Sequence, residues 1–447
     1  MTPMKTAIIL FLLTVGLLVF KHAHAADKLL QPNDFTYLGA FRVPQGDLGG
    51  PQYHGLNYGG AAIAYFPAHN SLFILGHDWD QLVAEISIPV PVKTSDIDSM
   101  NTATVLQNLS DITEGNLDYI GTNGQPLMGN ANKIGGLLVY GSRLIGSVFA
   151  YYDAAHQAVL SPFTSGLALA ASGDFAGMYQ VGSSPSVPQA GFVAGYMGSI
   201  PSAYQSSLGG TTLTGQADLS IIGRSSWGPS AFSFDPGRLG SDKPVTAAPL
   251  VYYPIDHQTL GKWGATPPPD NAPNQYVALG DDIAGIVFPP GTRSILFTGR
   301  HGSGESCYGI GTDDPALAWT DVPDAPGVVY CYDPLNGSKG GHAYPYSNYV
   351  WAYDVNDFTA VKKGLKNPWD IAPYAVWSFP LPTQELSCGS SGAAAYDETN
   401  RLLYLVQYGA DSFGYSVLPL IHVFLVNTGV PSPDRTPPAA PTALAIK

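Results

Sequence analysis

Four stretches of this 447-residue chain share one layout, and that repetition constrains its fold more than any other feature. "AAIAYFPAHNSLFILGH" (61–77), "GGLLVYGSRLIGSVF" (135–149), "IAGIVFPPGTRSILFTGRH" (283–301) and "GAAAYDETNRLLYLVQY" (392–408) each begin with small residues. A short apolar strand follows, then a turn carrying Asn, Gly or Pro, then a second apolar strand. Each predicts a β-hairpin. A further apolar run comes after several of them: "LVAEISIP" (82–89), "PLVYYP" (249–254), "GVVYCYDP" (327–334), "YVWAYDV" (349–355) and "IHVFLVN" (421–427).

Hairpin plus following strand, recurring along one chain, predicts an all-β fold and, more specifically, a β-propeller. The windows start near 61, 135, 190, 228, 283 and 392, an uneven spacing that predicts about five to seven blades with long inter-strand loops. "FTYLGAFRVP" (35–44) is expected to complete the last blade beside "IHVFLVN". Two packed sheets are the competing architecture. Composition agrees with short punctuated strands: 12% of residues are charged, and Gly (51), Pro (38) and Tyr (26) are abundant. One short helix is expected in "DFTAVKKGL", with Asp357 as N-cap and Gly364 near its end. The longest insertions, 115–133, 198–219 and 257–275, are read as loops.

The propeller is expected to occupy residues 26–427, between two segments of different character. Lys5, the apolar run Ala7 to Phe20 and the small residues Ala23 and Ala25 predict a cleaved secretory leader over 1–25. The run is too short to span a bilayer, and the expected setting is extracellular or periplasmic, with no membrane association after cleavage. Residues 428–447, rich in Pro and Ala, read as a tail or linker. Removing Lys5 and Lys21 takes the formal charge from −14 to −16, which argues against nucleic acid or anionic membrane as partners. Oligomeric state is not legible.

His301, Cys307, Cys331 and His342 fall on turn-rich segments of a chain with three cysteines and ten histidines. Several readings stay open: a structural zinc site on these four residues, a Cys307–Cys331 disulfide with Cys388 buried, inert thiols, or a reactive cysteine. A second set, His54, His77, Tyr196, Arg224 and Arg300, sits beside glycine near strand ends, where a propeller would present side chains to its axial mouth. Hydrogen-bonded rim residues are the alternative. The acid pairs Asp78 and Asp80, Asp281 and Asp282, and Asp313 and Asp314 could serve glycoside chemistry or calcium, though Asp is also a common turn residue. No nucleophile elbow, phosphate loop, zinc-protease motif or dinucleotide fingerprint is present.

"DFTYLGAFRVP", "LTGQADLSIIGRSSWGPSAFSFDP", "CYGIG" and "GGHAYPYSNYVWAYD" resemble a set of uncharacterised secreted bacterial β-propeller proteins. More distantly, the plan is similar to the propeller-type polysaccharide lyases that act on ulvan. That family's catalytic motif does not align here residue by residue, so the resemblance implies a substrate class and no catalytic role. That class is acidic polysaccharide. The expectation drawn from the residues themselves, set beside glycine near strand ends, is β-elimination with Arg224 or Arg300 on the uronate carboxylate, a histidine as base and Tyr196 as acid. A non-catalytic propeller that binds glycan or protein is the alternative. The two differ in convergence: a lyase needs His, Tyr and Arg in one cleft, whereas a binder needs an aromatic floor.

Overall fold

A computed structural model describes residues 28–50, 52–129, 131–183, 188–217, 220–254, 257–261, 272–383 and 392–429. The expected leader, Cys388 and the tail beyond 429 lie outside the described residues. Within them the chain is mostly β, in several small and mainly antiparallel sheets.

Strand β1 (Phe35–Arg42) leads the chain. A first sheet follows as a meander of β2 (Ile63–Phe66), β3 (Ser71–Leu75), β4 (Val83–Ser87) and β5 (Val105–Ser110). The second sheet holds β6 (Asn132–Tyr140), β7 (Arg143–Ala150) and β8 (Phe163–Ser165). The third is β9 (Met197–Ser199), β10 (Thr212–Thr214), β11 (Ala231–Phe234) and β12 (Ala248–Val251), with helix α1 (Ser202–Leu208) between its first two strands.

The fourth sheet is interrupted. After β13 (Asp282–Val287) and β14 (Ser294–Gly302) the chain departs to build a separate sheet from β15 (Cys307–Thr312), β16 (Val329–Tyr332) and β17 (Lys339–His342). It then returns as β18 (Tyr346–Asp354), helix α2 (Val355–Lys362) and β19 (Ala375–Ser378), with β18 pairing β14. The last sheet is β20 (Ala394–Asp397), β21 (Leu402–Phe413) and β22 (Ser416–Val426). Its fourth strand is β1, paired antiparallel with β22 from Phe35↔Val426 to Arg42↔Leu420, the pairing expected of "FTYLGAFRVP".

The first strands of the five sheets lie against one another in order: β2 against β6, β6 against β9, β9 against β13, β13 against β20, and β20 against β2. Each sheet therefore buries both faces, and alternation along a strand sorts its side chains between two neighbours. In β3, Leu72 and Ile74 pack with Tyr404, Ile421 and Val423 of the last sheet, whereas Phe73 and Leu75 pack with Leu137, Val148 and Phe163 of the second. In β14, Ile295 and Phe297 join Leu213 and Leu250 of the third sheet, while Leu296 joins Leu403 and Leu405 of the last. Ile145, Met197 and Phe232 link the second and third sheets. Two-sided burial is why these strands read as unbroken apolar runs rather than as alternating patterns. Each fully buried aliphatic or aromatic side chain contributes about 1.5–3 kcal/mol.

The small residues that open each hairpin window also gain a reason. A Cβ on Gly136 of β6 would collide with the carbonyl oxygen of Gly195, just before β9, so the first strands approach too closely there for a side chain.

Three local expectations are corrected. Within 198–217 the chain is not a continuous loop: it carries the end of β9, α1 and β10, and each of the two strands is three residues long with a single large apolar side chain, Met197 or Leu213, in the core. The N-cap of α2 is Asp354, whose carboxylate accepts from the Asn356 amide at 2.9 Å, and Asp357 lies inside the first turn. "GVVYCYDP" does not follow its hairpin in the fourth sheet. Its strand β16 runs parallel to β15 in the separate sheet, and β18 takes the expected place. No helix among the described residues is long and apolar enough to cross a membrane.

Candidate functional site

Where the first strands meet, they leave a cavity of about 470 Å³. Its wall takes Gly60 and Ala61 from before β2, Lys133 and Ile134 from β6, Asp282 to Ala284 from β13, and Ala393 from before β20. The segment Ser220–Arg224 and the end of β7, with Tyr151 and Tyr152, close one side, joined by the Ser220 amide donating to the Tyr151 carbonyl at 3.1 Å. The separate sheet supplies the other side through Tyr308, Asn336, Ser338 and Lys339.

Four cations face this space, Lys133, Arg224, Arg300 and Lys339, against three carboxylates, Asp78, Asp281 and Asp282. In a chain of net charge −14, that balance makes the cavity locally basic. Lys133 is paired with Asp78, across the first and second sheets. Arg224 lies 5.4 Å from the Trp227 ring centre, and Arg300 lies 4.5 Å from that of Tyr346 while donating to the Gly280 carbonyl at 3.2 Å. Each guanidinium lies over a ring face, a contact that restrains it beside the cavity and leaves donors for a carboxylate.

Of the residues read from sequence as site candidates, Tyr196, Arg224 and Arg300 line the cavity and His54 and His77 do not. Tyr196 is 3% exposed, and its hydroxyl donates to the Ser230 carbonyl at 2.8 Å. Burial raises its pKa well above the usual tyrosine value, so it is poorly suited to give up a proton. His54 is exposed on the opening loop, 3.7 Å from Asp47. His77 is buried beneath Tyr53, their rings parallel at 3.8 Å, and its Nδ1 accepts from the Trp79 amide at 3.1 Å. Burial lowers the His77 pKa, with Asp80 and Asp78 opposing only in part.

The metal reading meets a different arrangement. Cys307 and Cys331 form a disulfide between β15 and β16, their α-carbons 5.7 Å apart, which takes both sulfurs out of thiolate ligation. His301 and His342 do not join them around a common point. His301 Nδ1 bonds Asp281 Oδ1 at 2.9 Å, and His342 Nδ1 bonds Asp333 Oδ2 at 2.8 Å. For His301, burial acts to lower the pKa, but the Asp281 carboxylate and a hydrogen bond to the Asn274 backbone together outweigh it, and the net direction is upward. Among the described residues no group of three or more His, Cys, Asp or Glu is arranged to hold an ion. Of the acid pairs, Asp281 is spent on His301, on the Gly302 amide at 3.0 Å and on the Ala278 amide at 2.8 Å, and Asp314 caps a turn through the Ala316 amide at 2.9 Å.

Lys133, Lys339, Tyr151, Tyr152 and Tyr308 were not singled out from sequence. The available signal was scarcity: "ANKIGG" and "GSKGGH" each set one of twelve lysines beside glycines at a strand boundary, the same context that drew attention to the arginines. Neither a protein-family model nor a curated protein matches the chain.

Proposed function

We propose that the five sheets are the blades of a five-bladed β-propeller, with β1 closing the last blade, and that its axial cavity binds an acidic saccharide. The support for the propeller is the order of contacts from β2 through β6, β9, β13 and β20 back to β2, each junction filled by its own apolar cluster. The observation that carries the ligand class is the convergence of Arg224, Arg300, Lys133 and Lys339 with Tyr151, Tyr152 and Tyr308 on one cavity of about 470 Å³. Cations neutralise a uronate carboxylate, and tyrosine faces pack on the apolar faces of sugar rings. The disulfide accords with an exported protein that meets such polymers in an oxidising setting.

Binding is favoured over β-elimination by the placement of the histidines. His54 and His77 stand away from the cavity, His301 is 2% exposed behind Asp281, and the Tyr196 hydroxyl is held by Ser230. The test is calorimetric titration of uronate-containing and neutral oligosaccharides, with ultraviolet monitoring for unsaturated uronate. Binding of the acidic series alone, lost in Arg224→Ala with Arg300→Ala, supports the reading. Equal binding of neutral sugars overturns the ligand class, and accumulation of unsaturated product restores the lyase.

A further inference from the structure

Outside the cavity, the most exposed tryptophan among the described residues has an ordered seat. Trp79 is 75% exposed, yet its backbone is fixed in the turn that runs from His77 to Gln81. Its amide donates to His77 Nδ1 at 3.1 Å, the Asp80 and Gln81 amides bond the His77 carbonyl at 3.1 and 3.2 Å, and Gln81 Oε1 accepts from the Ile134 amide of β6 at 2.6 Å. Beneath it, Tyr53 meets the Trp79 ring edge-on at 5.9 Å and stacks flat on His77 at 3.8 Å. The Tyr53 amide is itself held by Asp80 Oδ2 at 2.9 Å.

This aromatic step is continuous with the cavity. Asp78, adjacent to Trp79 in the chain, lines the wall and pairs with Lys133. Tyr58 packs edge-on against His77 at 5.7 Å, and the carbonyl of Tyr58 accepts from the hydroxyl of Tyr408, another wall residue, at 2.8 Å. A large ring that remains 75% exposed although Tyr53 packs against it edge-on, on a hydrogen-bonded turn, fits a sugar face better than a role in folding.

We infer that Trp79 is a stacking platform for a further sugar unit of the saccharide whose acidic unit occupies the cavity, so that the ligand is a chain extending over the first sheet rather than a mono- or disaccharide. This rests on the cavity reading above. It assigns His77 a positioning role: the imidazole carries Tyr53, and Tyr53 orients the tryptophan.

The experiment measures affinity of the full chain for a uronate oligosaccharide series, from disaccharide to octasaccharide, with Trp79→Ala and Trp79→Phe beside wild type. The expected result is that wild type gains affinity with length, that Trp79→Ala removes on the order of tenfold of that gain while leaving the disaccharide unchanged, and that Trp79→Phe recovers part of it. If the disaccharide binds through Arg224 and Arg300 but Trp79→Ala changes no length, the platform is wrong and the cavity reading stands. Loss of equal size at every length also overturns the platform. If wild type binds no member of the series, both fall together.

Discussion

The guanidinium carbon of Arg300 sits 4.5 Å from the centre of the Tyr346 ring, and the Tyr346 hydroxyl donates to Asp333 at 2.7 Å. The same Asp333 oxygen bonds His342, which lies opposite Cys307 in the pairing of β17 with β15. A cavity-facing cation is thus oriented by a ring whose far end is anchored in the separate sheet. Replacing Tyr346 with Leu should remove the cation–π contact and weaken binding of an acidic saccharide several-fold, since such contacts contribute about 0.5–2 kcal/mol. Tyr346→Phe keeps the ring and should retain most of the affinity, at a cost in thermal stability from the bond lost at Asp333. Titration and melting of the two variants separate these effects.

The disulfide that holds this sheet should matter to binding as well as to folding. Cys307 precedes Tyr308 in β15, and the sheet also brings Lys339 to the cavity wall. Closing the 24-residue separation stabilises the fold by about 3 kcal/mol if chain entropy dominates. Replacing both cysteines with serine should lower the melting temperature and weaken acidic-saccharide binding. A variant that melts earlier but binds with wild-type affinity would show that the sheet holds its place without the bond.

Acid should destabilise the last sheet through His422. Burial alone lowers its pKa to about 3, and the neutral ring bridges Tyr37 at 3.0 Å and Gln407 at 2.8 Å. Below the unfolded value of about 6.5 the unfolded chain binds a proton that the folded chain refuses, so stability falls with pH, by up to about 1.4 kcal/mol per unit. Denaturant titration over that range should show a shallower acid dependence in His422→Gln than in wild type.

His301 works in the opposite sense. Its raised folded pKa means that the folded chain holds the proton more tightly, so the contribution is fully present below about pH 6.5 and is lost as pH rises through the raised value. The stability difference between wild type and His301→Gln should therefore be larger near pH 6 than near pH 9. A difference that does not vary with pH would mean that Asp281 and His301 share no charge.

The close approach at Gly136 gives a packing prediction. Gly136→Val places atoms against the Gly195 carbonyl and should cost about 1–3 kcal/mol or more, measured by denaturant melting. Gly141, with a positive φ of 59° at the open turn between β6 and β7, has nothing within 4 Å of its missing Cβ, so an Asn there should be tolerated far better.

How legible the fold was depended on apolar content. Strands such as β3 and β14, buried on both faces, announce themselves as unbroken apolar runs, and the pairing of Phe35–Arg42 with β22 matches the expectation that this early strand joins the last apolar run. β9 and β10 were hidden because Met197–Ser199 and Thr212–Thr214 are three residues each with one apolar side chain, too short to show a pattern, although Met197, Thr212, Leu213 and Thr214 are buried. Along the cavity wall, Arg224 and Arg300 stood out in the sequence because cations are scarce and each ends an apolar run. His54 and His77 lie off the cavity, and the sequence could not show this: beside glycine, an imidazole serves a turn or a buried ion pair as readily as a cleft, as His77 and His301 do. Distinguishing the two needs the neighbours that only the fold brings together.

The central claim is that an acidic saccharide sits in the cavity between the five sheets. A crystal structure of the protein with a uronate oligosaccharide tests it most directly. The account predicts a carboxylate within hydrogen-bond distance of Arg224 or Arg300 and a sugar ring against Tyr151, Tyr152 or Tyr308. Saccharide bound elsewhere, with the cavity filled by water alone at saturating ligand, would contradict it.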